Sequence, residues 1–243
     1  MFIELRLGRK MPSVLKLKPK PMATRIKTSQ RIVNNSLALF NQLGERAVST
    51  NHIAAHMEIS PGNLYYHFPN KQAIISVLFN EYEALVLSFL RLPEGRLPTV
   101  ADKHFYLQQL LDAMWRYRFL YRDIEHLLHS DSELATRYRH FSQQCLKQAQ
   151  AIYSGFVDAG ILNMTPLQIE SVTLNAWIIL TSWIGFLCTT RETSDQLSEQ
   201  AIKRGVYQLL VLEAGFVTDQ ARDAIDELIQ EYYVPLDFAL DDH

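Results

Sequence analysis

The chain has only two cysteines among 243 residues, Cys145 and Cys188, and neither stands in a CxxC pair or at metal-ligand spacing from a histidine. No zinc-site pattern remains, and the two read as reduced thiols of a cytoplasmic protein, with a redox-sensing pair as the weaker reading. HExxH, a glycine-rich phosphate loop and a Ser-His-Asp ordering are also missing, so no enzyme, catalytic residue or cofactor is expected. His126 and His129 share a helix face beside Glu125 and Glu133, a weak metal pattern. They are read as surface or core histidines, with no metal. Residues 1–21 lack the apolar run of about 7 to 15 residues that a signal peptide needs, so no export is expected. Beyond Phe79 no strand alternation and no internal repeat is visible.

Charge is present but segregated. Residues 1–71 carry 11 Lys and Arg against 3 Asp and Glu, whereas the remainder carries 13 against 23. A basic N-terminal part suits contact with a polyanion, and the acidic remainder does not. Part of the excess lies in residues 1–21, expected to be a disordered basic extension. Met22-Ala-Thr reads as a natural beginning of the folded part.

One stretch organises the rest: Ser60-Pro-Gly-Asn-Leu-Tyr-Tyr-His-Phe-Pro-Asn-Lys71. Ser60 can cap a helix, and Pro61 suits a first helical position, where its missing N–H has no intrahelical partner to lose. Leu64 and Phe68, four apart, fall on one face, while Asn63, Tyr66 and His67 fall on the other with hydrogen-bonding groups. Before it, Ile32, Val33, Leu37, Leu39, Phe40 and Leu43 mark a helix over 28–43 closed by Gly44. Ser49 or Thr50 opens a short second helix with Ile53, Ala54 and Met57 facing inward. Two short helices in tandem, the second polar and aromatic outside, match a helix-turn-helix, although the turn contains no glycine. Asn70 caps a fourth helix whose first residue, Lys71, opposes the helix dipole, a placement that a bound phosphate would explain.

Leu39-Phe40, Gly44, Thr50, Ile53-Ala54, Ser60, Gly62 to Phe68 and Lys71 together resemble the N-terminal DNA-binding domain of the TetR family of bacterial transcriptional regulators, over about residues 26–78. The resemblance implies that Thr50, Ser60, Tyr65 and Lys71 hold phosphates, while Gly62, Asn63, Tyr66 and His67 lie in or beside the major groove. Arg25, with Lys27, forms a basic arm. Many family members carry lysine where this chain has Pro61, so phosphate binding is expected to lean on Lys71, Arg46 and that arm, with a modest salt dependence.

The remainder reads as helices throughout, broken at Pro93-Glu94-Gly95, Pro98, Gly160, Asn163 to Pro166 and Pro235. A fifth helix is expected over about 101–121, a short sixth over 124–128, a seventh over 132–159, an eighth over 167–189, a ninth over 195–215 and a tenth over 219–233. No charge occurs from Ser171 to Thr190, long enough to cross a bilayer, yet seven of those twenty residues are Ser, Thr or Asn and no basic flank sets an orientation. The expectation is a helix buried on most sides and no membrane partner. The resemblance implies that the eighth and ninth helices build a four-helix dimer seam, and that the body encloses an effector cavity. Trp115, Arg118 and Trp177 are weak candidates to line it, and an arginine reaching it would favour an anionic ligand.

The expected fold is therefore all-α. A basic extension covers residues 1–21, a helix-turn-helix DNA-binding domain 22–70, and a larger helical effector-binding and dimerisation domain 71–243. The expected function is a ligand-responsive repressor that binds a palindromic double-stranded operator as a homodimer and is released by an unidentified small-molecule effector. Two other readings use the same residues: a ligand-independent accessory DNA-binding protein with a cavity-free body, and a lipid-binding protein or enzyme with a vestigial head.

Overall fold

The computed structural model describes residues 27–191 and 197–240; the 1–21 extension and Arg25 lie outside them. Among the described residues there is no strand, only an isolated bridge between Leu162 and Val217.

The head holds three helices. In α1, Thr28–Leu43, Ile32, Val33, Leu39 and Phe40 are buried, and Gly44 at φ +87° stops the helix, its N–H donating to the Phe40 carbonyl. Helix α2, Thr50–His56, begins in a capping box in which His52 takes the place usual for Glu: the Ser49 hydroxyl accepts from the His52 N–H, and the His52 ring accepts from the Ser49 N–H. Helix α3, Pro61–His67, begins at Ser60, whose Oγ accepts from the Asn63 N–H. The α2–α3 turn needs a left-handed residue, and Glu58 supplies it at φ +54°. The Ile59 N–H then reaches the Ala54 carbonyl and the Glu58 N–H the Ala55 carbonyl, the pattern that closes a helix around a left-handed residue. Glycine is absent from this turn, and its conformation is not.

The body contains α4, Lys71–Phe89; α5, Val100–Arg116; α6, Arg118–Ser130; α7, Ser132–Asp158; α8, Pro166–Thr190; α9, Glu199–Glu213; α10, Arg222–Tyr232; and α11, Leu236–Leu240. Caps at Asn70, Thr99, Asp131, Thr165 and Ser198 start α4, α5, α7, α8 and α9. Helix α8 packs on α6, α7 and α9, and α9 on α5, α10 and α11. The close approach of α8 to α9 depends on Gly205: a Cβ there would lie 2.4 Å from the Trp183 ring, whose Nε1 donates to the Ala201 carbonyl.

Three boundaries differ from the sequence reading. The expected fifth helix breaks at Tyr117, and α6 is a full helix of 13 residues instead of a short one. The cause is Asn41 of α1, whose Nδ2 donates to the Arg116 carbonyl at 2.8 Å and whose Oδ1 accepts from the Phe119 N–H at 3.1 Å. One amide thus satisfies the end of α5 and the start of α6. Helix α9 starts at Glu199, the expected start at Asp195 lying outside the described residues, and α11 follows Pro235, where no further helix was expected. Helix α8 is also less enclosed than expected. Leu167, Leu174, Ile178 and Phe186 form an exposed stripe along it, opposite buried Ile169, Val172, Ala176, Ile184 and Leu187.

Candidate nucleic-acid interface and body cavity

On α3 the two faces separate as the spacing requires. Leu64 and Phe68 are buried in the core, Gly62, Asn63 and Tyr65 are exposed, and His67 is half-buried. Tyr66 is 84% exposed, its ring in an edge contact with His67 at 5.1 Å. A large aromatic held so far into solvent by a well-anchored helix is placed to pack against something else.

Beside α3 lies a concave notch of about 510 Å³, lined by Arg46, Ser49, Thr50, His52, Tyr65 and Asn70 among others. Thr50 Oγ1 and Tyr65 Oη are 3.0 Å apart across it. Two hydroxyls share that one hydrogen bond, so one O–H remains to donate outward. Ser60 uses Oγ only as an acceptor within the helix cap, which leaves its proton for an outside acceptor as well. The structure therefore brings Thr50, Tyr65 and Arg46 into one notch, with Ser60 at the start of the neighbouring helix. Sequence reasoning missed His52, which is exposed in the notch and fixed by the capping box. The Ser49-x-x-His52 spacing carried that signal.

Lys71 also borders the notch, but its ammonium is turned inward. It donates to the Glu45 and Val48 carbonyls at 3.0 Å each and pairs with the Glu45 carboxylate at 2.6 Å. An ammonium has three N–H groups, and these contacts use all three. The side chain is 21% exposed against 4% for Glu45. The placement of a cation at the start of α4, which a phosphate was expected to explain, has an internal explanation: Lys71 neutralises a buried carboxylate and ties α4 to the α1–α2 loop. His126 meets the same group, its Nε2 3.7 Å from Glu45 Oε2, so its neighbour is the head. Among the described residues no group of three His, Cys, Asp or Glu could hold a metal.

A cavity of about 120 Å³ lies within the body, walled by α4 to α9. Of the three residues expected there, Trp177 lines it, packed against Phe141 at 6.3 Å. Trp115 and Arg118 are absent from the lining. The Arg118 guanidinium stacks 4.2 Å above the Trp115 ring and donates to the Trp115 carbonyl. For Arg118 this follows from the break at Tyr117, which gives residues from 118 onward a different helical face from that of the expected continuous α5. Missed from sequence were Lys103 and Glu213, a buried ion pair between α5 and α9 with Lys103 on the cavity wall. They are far apart in the chain, and nothing local marks either as buried.

Helix α8 has a mean hydropathy of 1.5 over its most apolar window and is long and apolar enough to cross a membrane. Several of its hydroxyls are satisfied within the helix, Ser171, Thr173 and Thr181 donating to carbonyls three or four residues back. One face of the helix is built into the protein core.

Comparisons with known proteins agree with this arrangement. Residues 32–78 match the family model described as bacterial regulatory proteins, tetR family, and residues 81–225 match that of a TetR bacterial transcriptional repressor. No curated protein matches the chain. The crystal structure of a TetR-family transcriptional regulator from Marinobacter aquaeolei VT8 is 43% identical, covers 86% of this chain and 100% of its own, and superposes with a TM-score of 0.79. A TetR-family regulatory protein from Rhodococcus RHA1 is 20% identical over 79% of this chain and 99% of its own, with a TM-score of 0.56. A TetR-family regulator from Pectobacterium atrosepticum is 16% identical over 79% and 95%, with a TM-score of 0.52. These last two share the fold. With both family models and a close structural relative spanning head and body, the chain belongs to the TetR family, and it is a DNA-binding transcriptional regulator.

Proposed function

We propose that this regulator is a ligand-responsive repressor that binds a palindromic operator as a homodimer. Residues 22–70 form the DNA-binding unit, and residues 71–243 form the effector and dimer unit. It acts in the cytoplasm, without catalysis. The observation that carries the reading is that one helix touches both the cavity and the head. Tyr121 of α6 lines the cavity, and its chain neighbour Arg122 donates to the Phe40 carbonyl at the end of α1, while Phe119 binds Asn41. A ligand that changes the packing around Tyr121 changes the seat of the head, and DNA is released by a population shift.

Tyr66, Asn63, His67 and the bare Gly62 enter or flank the major groove. Thr50, Ser60, Tyr65 and Arg46 hold phosphates, together with Arg25 and Lys27 of the arm. Lys71 serves by fixing the geometry of the notch. Support for the dimer comes from the exposed stripe on α8 with Val211 of α9, an apolar surface of the kind that marks protein interfaces.

Footprinting on the promoter next to its own gene, with and without a metabolite extract, tests the reading. Two protected half-sites about one helical turn apart, lost on adding extract, are expected. Protection that survives every extract fraction favours the ligand-independent accessory reading and overturns this one.

A further inference from the structure

We infer that the body cavity takes an uncharged, mainly hydrocarbon ligand about the size of one substituted aromatic ring, and discriminates against organic anions. The inference rests on the effector reading above and names the ligand class for that site. Size follows from volume: at about 120 Å³ the cavity is somewhat smaller than the dry cavity of about 150 Å³ that takes benzene, so a single ring is the upper limit, and the wall side chains must shift to admit its substituent.

Charge is the sharper argument. An arginine reaching the cavity would favour an anionic ligand, but no arginine lines it. Arg116 lies over the Tyr117 ring, Arg118 over Trp115, Arg122 on the Phe40 carbonyl, and Arg137 reaches Ser76 and Glu83. The one ionised group on the wall is Lys103. It is already paired with Glu213, and the two side chains are 6% and 1% exposed. Lys103 Nζ also sits 4.8 Å from the centroid of the Phe156 ring. An incoming carboxylate must displace Glu213 or enter unpaired, and either leaves a charge buried without compensation. A ligand cation meets the same obstacle, because Lys103 occupies Glu213. The wall is electrically neutral, and it favours a neutral guest.

The polar wall atoms are mostly committed. Tyr106 donates to the Arg91 carbonyl at 2.6 Å, and Thr173 and Thr181 donate to their own helix. Burial pushes the Cys145 thiol up to about 12, so it stays neutral. Tyr82 and Tyr121 share one hydrogen bond at 2.7 Å, which leaves a single O–H to donate. The Tyr82–Tyr121 pair thus offers one O–H to an otherwise apolar guest, such as a ketone, ether or alcohol oxygen.

The test uses the full chain and three probes of matched size: acetophenone, benzoate and 1-phenylethylammonium. Binding is read by calorimetry and by the change in tryptophan emission, to which Trp177 in the cavity wall contributes beside Trp115 and Trp183. Acetophenone is expected to bind at least about tenfold more tightly than either ion. Benzoate binding as tightly as acetophenone, or failure of all three to bind, overturns the inference. Glu213→Gln leaves Lys103 without its counter-charge, so benzoate affinity should rise about tenfold while acetophenone changes little. No gain in a variant that still melts cooperatively also counts against the assignment. Should that variant not fold, Ala149→Leu, which fills the cavity from α7, should abolish acetophenone binding; unchanged binding there places the ligand elsewhere and overturns the inference. Operator release is scored separately. Acetophenone bound with DNA retained sinks the effector reading and leaves the ligand class standing.

Discussion

The Lys71 ammonium lies 2.6 Å from the Glu45 carboxylate, at the point where the α1–α2 loop meets the first turn of α4. Glu45 is buried, and its backbone N–H donates to Asp123 of α6 at 3.1 Å. Removing the lysine strands a carboxylate. Lys71→Ala should destabilise the fold by about 2 to 3 kcal/mol, somewhat under the range for a wholly buried pair because Lys71 keeps partial exposure. Denaturant melts of Lys71→Ala and of Lys71→Met/Glu45→Gln check this, the double variant recovering much of the loss.

The same geometry separates lysine from arginine in DNA binding. Arg46→Ala should lower the slope of log affinity against log salt by about one, and Lys71→Met/Glu45→Gln should leave it unchanged. Filter binding from low to moderate salt measures both. Equal slopes for the two variants would return Lys71 to the phosphate backbone.

Tyr66 stands 84% exposed, so truncating it costs the fold little, within about 0.5 kcal/mol. Tyr66→Ala is expected to weaken binding to the operator by about 1 to 3 kcal/mol and binding to random duplex far less. Competition titrations with the two DNAs give the ratio; an unchanged ratio would remove Tyr66 from base reading.

Glu58 holds φ +54°, where a side chain is strained and glycine is not. Glu58→Gly should therefore raise stability by about 0.5 to 1 kcal/mol, the relief of strain outweighing the added freedom of the unfolded chain. A lower melting temperature would mean that the left-handed turn is not strained.

Ile178 is half exposed at the centre of the α8 stripe. Ile178→Glu should leave the monomer folded and abolish self-association, with operator affinity falling by at least about a hundredfold as the linkage between half-sites is lost. Sedimentation velocity and circular dichroism together decide; a dimer that survives the charge would move the interface off α8.

The head was legible because its signals are local. Ser49, Ser60 and Asn70 sit where their caps form, Pro61 occupies a first helical position, and Leu64 and Phe68 meet the core four residues apart. The body's errors are non-local. Periodicity runs smoothly through Tyr117, and only Asn41, on a distant helix, interrupts it. Lys103 and Glu213 pair across more than a hundred residues, and Arg118 followed the helix break away from the cavity. The exposure of one side of α8 was hidden because apolar residues surround that helix whether they face a core or a partner.

The amide of Asn41 also makes the shape of the body conditional on the head. The carbonyl that ends α5 and the N–H that begins α6 have their partner on α1, so a body severed from its head must satisfy both by itself. The nearest remedy is to run one continuous helix through Tyr117, as the periodicity of that segment would have it. The bend is thus a property of the joined molecule: the head is a structural component of the chamber whose contents it is proposed to answer.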